Sequence, residues 1–408
     1  GAYRIQTMAT HGHAVTRPAA SGRHEHQITF PDLSAVKGQE QTGAAHQHIT
    51  QHNEAQPHRT GRRNFFAQDQ PSQQGGPKGQ TAGQQDRRMG SGGKKETGCC
   101  NVDSFNDARM AAVQHGFPHF ILDIREEFGD FVIDNFVDEY LAGRTPNPCV
   151  LCNTHIKWEA LLKRADKLDC EFIATGHYAN IRLQDSGRYV ISKGKDENKD
   201  QSYVLWGVSQ RNLARTRFPL GSFTKAEIRQ MALDMGQQEL ANKSESYEIC
   251  FVPDNDYRAF LKHRVPDLEA NVDGGDFVLT DGTKVGKHKG YPFYTIGQRR
   301  GLGVAFGHPM FVTQILPESN TVVLGTEDEL QRTEAMVRNL NLIKYESINE
   351  PLEAVTKIRY KDSGALSHIQ QIGDYLKVDF HHAVSGVAPG QSAVFYEGND
   401  LLGGGFLI

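Results

Sequence analysis

Eleven residues, Gly143 to Asn153, read GRTPNPCVLCN and crowd two prolines, two asparagines and a Cys-x-x-Cys pair into one short stretch. Proline fixes its own φ, lacks an amide donor and pushes the residue before it toward extended backbone. Pro146 and Pro148 are therefore expected to exclude helix and strand and to make this a stiff loop that presents its side chains. Cys149 and Cys152 are either half of a structural zinc site or reactive thiols. No second Cys-x-x-Cys or His-x-x-x-His stands at zinc-finger spacing from them, so reactive thiols are the better reading and no metal site is expected.

Residues 1–96 read differently from the remainder. The first 90 hold fourteen Gln and eight His but only six Ile, Leu or Val, and they run into a glycine-rich string ending at Lys94 and Lys95. Such a segment buries too little apolar surface to offset the entropy of ordering its backbone, so it is expected to be disordered low-complexity chain or a mistranslated stretch. Its histidines are irregularly spaced and lack cysteine neighbours, which favours solvated chain over metal binding.

The other 312 residues of the 408 have room for two or three domains. No apolar run is long enough to span a membrane and no secretory h-region is evident, so a cytoplasmic protein is expected. Six cysteines are too few for a disulfide scaffold. A net charge of −4 argues against generic polyanion binding but leaves room for local basic patches on RNA.

From Cys99 the periodicities alternate. A helix capped near Asp103 or Ser104 closes at Gly116, and a buried strand follows over 117–124. A second helix carries Phe128, Val132, Phe136 and Tyr140 every four residues up to Gly143. A third runs from about His155 to Leu168, and the short strand 171–175 leads to Gly176-His177-Tyr178. This is the rhythm of a parallel α/β sheet, which binds ligands beyond the carboxyl ends of its strands. A hairpin is expected around Asp185-Ser186-Gly187, and Thr224 with Glu227 forms a capping box. Beyond Asp254 short alternating strands punctuated by glycine suggest two small β domains meeting near Leu330.

The strings GRTPNPCVLCN, IATGHYA, KDQSYVLW, FPLG, EICF, HKGYPFYTIGQRRGL, KIRY and PGQSAVFY occur in this order over roughly 310 residues. In them the chain closely resembles the tRNA-specific 2-thiouridylases, which place sulfur on C2 of the wobble uridine. The resemblance implies an incomplete PP-loop ATPase-type domain at 97–253, a small β-rich central domain at 254–329 and a C-terminal β-barrel at 330–408. It implies ATP, with Mg2+, adenylating the C2 oxygen, and sulfur arriving as a persulfide from a cysteine desulfurase or a relay protein. Cys250 would carry the persulfide, with Cys152 as catalytic partner able to close a disulfide with it. Asn147, Pro148 and Cys149 match positions that hold the target base, Gly176 the glycine facing the nucleotide, and His177, Lys199, Asp200, Gln201, Arg359 and Tyr360 positions that contact tRNA. The implied tRNAs are those with Lys-, Glu- and Gln-type anticodons.

Two departures stand out. Many relatives carry Asp where Cys149 stands, and three cysteines could instead hold an iron–sulfur cluster. The string SGGVDSS, which in the family cradles the pyrophosphate on backbone amides and a helix N-terminus, does not occur; Ser91-Gly92-Gly93 is followed by two lysines instead. The alternatives are thus a tRNA-binding remnant that cannot adenylate, or another PP-loop amidating synthetase. The latter leaves Cys152, Cys250 and the C-terminal strands unexplained.

Overall fold

The computed structural model describes the backbone of residues 4–8, 13–17, 102–243 and 249–408, with side chains from 105 onward. Strands β1 (Arg4–Met8) and β2 (His13–Arg17) form an antiparallel hairpin. It lies between β3 (His119–Phe120), parallel to β1, and β4 (Phe172–Thr175), antiparallel to β2. No element was expected in residues 1–96. The two short strings are masked in the sequence by the Gln- and His-rich composition around them, and the rest of that segment, with Ser91-Gly92-Gly93, Lys94 and Lys95, lies outside the described residues.

The hairpin β5 (Ala179–Leu183) and β6 (Tyr189–Lys193) follows, and β7 (Thr216–Arg217) pairs parallel with β4 to complete the order β3-β1-β2-β4-β7. The strand expected over 117–124 shrinks to two residues, and Ile121 just beyond it is 67% exposed among the described residues.

Two long helical runs flank the sheet's loops. The first passes from Arg125–Phe128 through a π-helical stretch, Gly129–Asp134, into Asn135–Leu141. Phe128, Val132, Phe136 and Tyr140 are all buried along it, as their spacing predicts. The second begins at Pro148–Leu151, widens to a π-helix over Cys152–Ala160 and ends with Leu161–Lys167. This overturns the expectation of a loop through Asn153 and of a helix starting only at His155. Pro148 occupies the first helical position, where a missing N–H costs nothing and the fixed φ suits the helix, so it starts the helix that it was expected to exclude. Further on, Thr224 and Glu227 make both bonds of a capping box at the head of Lys225–Asp234.

The central region is a four-stranded sheet of β8 (Gly275–Leu279), β9 (Lys284–His288), β10 (Phe311–Leu316) and β11 (Thr321–Gly325), in the order β10-β11-β8-β9. The C-terminal strands are β12 (Gln331–Leu342), β13 (Leu352–Lys357), β14 (Ala365–Ile372), β15 (Tyr375–Ser385), β16 (Ser392–Glu397) and β17 (Asp400–Leu407). They pair in the order β12-β15-β14-β13-β16-β17, and β17 returns to β12, closing a six-stranded barrel with no open edge of its own. The β5–β6 hairpin joins this barrel through Ser192 opposite Asp400.

Three buried clusters hold these parts. One packs Trp158, Leu161, Ile173, Tyr203 and Trp206 against Ile343, Val394 and Tyr396 of the barrel. A second joins Phe136, Cys152 and Ile156 to Phe251, Leu261 and the central sheet. The third fills the barrel. The helical run from Pro148 thus lies between two cores, Val150 and Trp158 facing one and Cys152 and Ile156 the other. Each large apolar side chain so buried contributes roughly 1.5–3 kcal/mol. Among the described residues no helix is long and apolar enough to cross a membrane.

Candidate active site

The segment ahead of Pro148 is clamped by the barrel. Gly143 ends the first helical run at φ 70°, and a Cβ there would meet Pro317 Cγ at 2.7 Å, so glycine is required twice over. Arg144 grips Glu139 through two parallel bonds, Nε to Oε2 at 2.7 Å and Nη2 to Oε1 at 2.6 Å. The Thr145 amide donates to the Pro389 carbonyl at 2.8 Å. Gln391 Nε2 donates to the carbonyls of Thr145 and Pro146 at 3.1 and 3.0 Å, and Asn147 Nδ2 donates to Ser392 Oγ at 3.3 Å. Gly390, at φ 88°, lets the two backbones approach: a Cβ there would stand 2.9 Å from the Thr145 carbonyl.

Asn147 is the N-cap of the helix without a side-chain capping bond, and its Nδ2 donates to Ser392 instead. Pro148 is buried beneath it. Cys149 is exposed on the first turn, and Cys152, three residues on, is 8% exposed. Cys250 lies about a hundred residues away in sequence and is exposed, but Phe251 and Val252 next to it join the cluster that buries Cys152. Phe251 sets its ring against the edges of Phe136, Phe260 and Phe128 with centroids 5.1, 5.4 and 5.7 Å apart. Aromatic edge contacts of this kind favour one orientation, and so fix the chain that carries Cys250. Cys170, by contrast, is 2% exposed within the other core.

A second group extends from Asn147 across the barrel surface. The Tyr203 hydroxyl donates to the Ser392 carbonyl at 2.9 Å and bonds the Asn147 side chain, while burial pushes its pKa above the ordinary phenol range. The Tyr203 ring meets Tyr360 at 5.8 Å between centroids, and the Tyr360 hydroxyl donates to the Asp200 carbonyl at 3.3 Å. Arg359 and Tyr360 are both exposed. The fold thus gathers Asn147, Tyr203, Ser392, Asp200, Arg359 and Tyr360 into one neighbourhood. Tyr203, Gln391 and Ser392 were missed by sequence reasoning, although they lie inside KDQSYVLW and PGQSAVFY; uncharged side chains in those strings gave no chemical reason to single them out.

The Asp200 and Gln201 side chains are spent on the protein. Asp200 accepts from the amides of Gly194 and Ser202 at 3.1 and 3.2 Å and from Ser202 Oγ at 2.8 Å. Gln201 Oε1 accepts from the Tyr178 amide at 3.0 Å. Both shape the turn carrying half-buried Lys199. Gly176 is exposed just past β4, where a Cβ would meet Leu220 at an unstrained 3.7 Å.

His177 is buried, not on the surface with Arg359 and Tyr360. Its Nδ1 and Thr175 Oγ1 are 2.8 Å apart, and its ring packs near Trp158 and Phe218 at 5.6 and 6.2 Å. Burial holds its pKa well below 6.5, and the Lys157 charge adds to this, so the imidazole is neutral. The folded pKa is depressed relative to the unfolded chain, whose histidine takes up a proton as pH falls below about 6.5. Stability is therefore lost on acidification, by up to about 1.4 kcal/mol per pH unit for this group. His177→Gln is expected to flatten the fall in urea midpoint between neutral and mildly acidic pH; an unchanged fall would locate the acid sensitivity elsewhere.

Among the described residues one group of His, Cys, Asp or Glu brings three donor atoms together, Glu353, His368 and His381, and no cysteine belongs to it.

Three family models match in succession: a tRNA methyl transferase HUP domain over residues 83–254, a tRNA methyl transferase PRC-barrel domain over 258–326 and an aminomethyltransferase beta-barrel domain over 332–407. The tRNA-specific 2-thiouridylase MnmA of Amoebophilus asiaticus is 64% identical over 321 residues, covering 78% of this chain and 85% of that protein. The proteins of the same description from Cytophaga hutchinsonii and Salinibacter ruber are 63% and 58% identical, covering 78% of this chain and 86% and 84% of their own lengths. On this identity and coverage, the chain belongs to the tRNA-specific 2-thiouridylase family.

Proposed function

We propose that the chain is built for ATP-dependent transfer of sulfur to C2 of the wobble uridine of tRNA. The observation that carries the reading is the buried cluster shared by Cys152 and the Phe251-Val252 pair that follows Cys250. The uracil C2 carbonyl is a poor electrophile, and ATP converts its oxygen into an AMP leaving group. The outer sulfur of a Cys250 persulfide then attacks C2 as AMP departs. Cys152, as thiolate, attacks the Cys250 sulfur, so the S–S bond of the persulfide breaks, sulfur remains on tRNA and a Cys152–Cys250 disulfide forms. An external thiol reduces it before the next turnover. Cys149 and Cys152 lie near the start of a helix, whose positive end favours the thiolate.

Asn147, held by Ser392 and Tyr203, Pro148 and Cys149 form the rim for the target base. Gly176 leaves its backbone open to the nucleotide, and Mg2+ would accompany the ATP. Lys199, Arg359 and Tyr360 face the tRNA, where cations neutralise phosphates and an aromatic ring stacks on a splayed base. Asp200, Gln201 and His177 act behind them by positioning. The sulfur donor is a cysteine desulfurase or a relay protein in the cytoplasm, and the tRNAs are those with Lys-, Glu- and Gln-type anticodons.

Arg359→Ala is expected to weaken tRNA binding and to lower the slope of log K against log salt by about one unit, the loss of one phosphate contact. An unchanged slope would remove Arg359 from the interface. A second reading, a tRNA-binding protein that does not adenylate, is favoured by the missing SGGVDSS string. Formation of 2-thiouridine in tRNA supplied with ATP, desulfurase and cysteine separates the two.

A further inference from the structure

The outer face of the barrel carries a cluster that sulfur transfer does not use. Glu353 on β13 stands opposite His368 on β14, and His368 opposite Asp379 on β15. Strand alternation turns Ala354, Ser367, Ile369, Val378 and Phe380 into the barrel and leaves Glu353, His368, Asp379 and His381 exposed. His368 Nδ1 and His381 Nε2 are 3.0 Å apart, with ring centroids at 4.7 Å. With a Glu353 carboxylate oxygen they make three donor atoms within 4.8 Å of one another. Asp379 is drawn away by Lys377 at 2.7 Å.

A hydrogen bond between two imidazoles accounts for the 3.0 Å contact, but it does not account for a carboxylate converging on the same point. Two imidazole nitrogens and a carboxylate oxygen are a donor set that zinc takes, with bonds of about 2.0–2.2 Å and a fourth position left to water. Tetrahedral bonds of that length set neighbouring donors roughly 3.3 Å apart, close to the observed nitrogen separation. Three adjacent strands of a closed barrel supply the ligands, so small side-chain adjustments are enough to complete the set. We propose that Glu353, His368 and His381 bind a divalent transition-metal ion, zinc by its donor preferences, and that the ion ties β13, β14 and β15 together. Binding to the folded barrel alone stabilises it by linkage.

The test is calorimetric titration of the folded full chain with Zn2+ after its accessible cysteines are alkylated, alongside Glu353→Gln, His368→Ala and His381→Ala. The three side chains are exposed, so the substitutions leave the barrel core intact, and a circular dichroism spectrum checks this. The expected result is one equivalent of zinc bound by the unsubstituted chain and lost in each variant, above any background from the N-terminal histidines. Zinc is also expected to raise the melting temperature of the unsubstituted chain and to lose that effect in all three variants. Equal stoichiometry and equal thermal shift across the four proteins would overturn the site. Loss in the histidine variants with Glu353→Gln unchanged would overturn the three-ligand set.

Discussion

Cys152→Ser and Cys250→Ser are each expected to abolish formation of 2-thiouridine, measured in a chimaera that carries the family's SGGVDSS segment, while Cys170→Ser leaves it nearly unchanged. A serine at 250 has no sulfur on which to carry a persulfide, and a serine at 152 is a far weaker attacking group at neutral pH. The three sites separate function from packing. Cys170 sits in the core shared by Trp158 and Ile173, so its substitution acts on stability. Cys152 also lies in a core, but at the start of a helix and in the same cluster as the residues that follow Cys250. Urea unfolding controls for this: Cys152→Ser should fold cooperatively and still fail to transfer sulfur. Retained transfer in either of the first two variants would remove the persulfide assignment.

The 408-residue chain itself is expected to release AMP from ATP in the presence of unmodified tRNA at least about a hundredfold more slowly than the chimaera. A triphosphate is held by several oriented backbone amides and a helix N-terminus, and losing that cradle removes both affinity and positioning for attack on the α-phosphate. Gly176 is exposed just past β4, but a single glycine supplies no such set of amides. Lys94 and Lys95 bring charge, but charge alone is not a set of oriented amides. Comparable AMP release by the two proteins would show that other parts of the chain bind the phosphates.

The sequence was most legible where one pattern had one physical meaning. Phe128, Val132, Phe136 and Tyr140 every four residues specified a buried helical face, and Thr224 with Glu227 specified a helix start. Local rules failed where one residue supports two outcomes. Pro148 breaks a helix from within and starts one at its first position, and the surrounding string does not say which. The π-helical stretches over Gly129–Asp134 and Cys152–Ala160 were not expected, because apolar residues four apart are read as an ordinary α-helical face. Ile121 reads as strand core, yet among the described residues it is exposed, which an apolar run by itself does not reveal.

The site was legible by chemistry and hidden by distance. The Cys149 and Cys152 pair stands out by residue type and spacing, whereas Cys250 and Arg359 stand out only through the family strings that contain them. The groups that hold the segment ahead of Pro148 do not: Tyr203, Gln391 and Ser392 act through hydroxyl, amide and backbone groups found all over the chain. Only folding brings Gln391 to the carbonyls of Thr145 and Pro146. His177 is the converse case. As a histidine just beyond a strand it reads as surface recognition, and only the fold shows that its ring is buried beside Trp158 and Phe218.

Sulfur transfer from Cys250 to tRNA is the centre of this account, and the direct test follows the sulfur. The chimaera is loaded once by a cysteine desulfurase and cysteine, freed of donor, and then mixed with tRNA and ATP, with peptide and nucleoside masses read before and after. The predicted result is one extra sulfur on the peptide containing Cys250 before mixing. Afterwards that sulfur is gone from the peptide, a matching amount of 2-thiouridine is present in the tRNA, and the Cys152 and Cys250 peptides are joined by a disulfide. Sulfur that remains on Cys250 in the presence of tRNA and ATP, or 2-thiouridine formed without a persulfide on that peptide, would contradict the account.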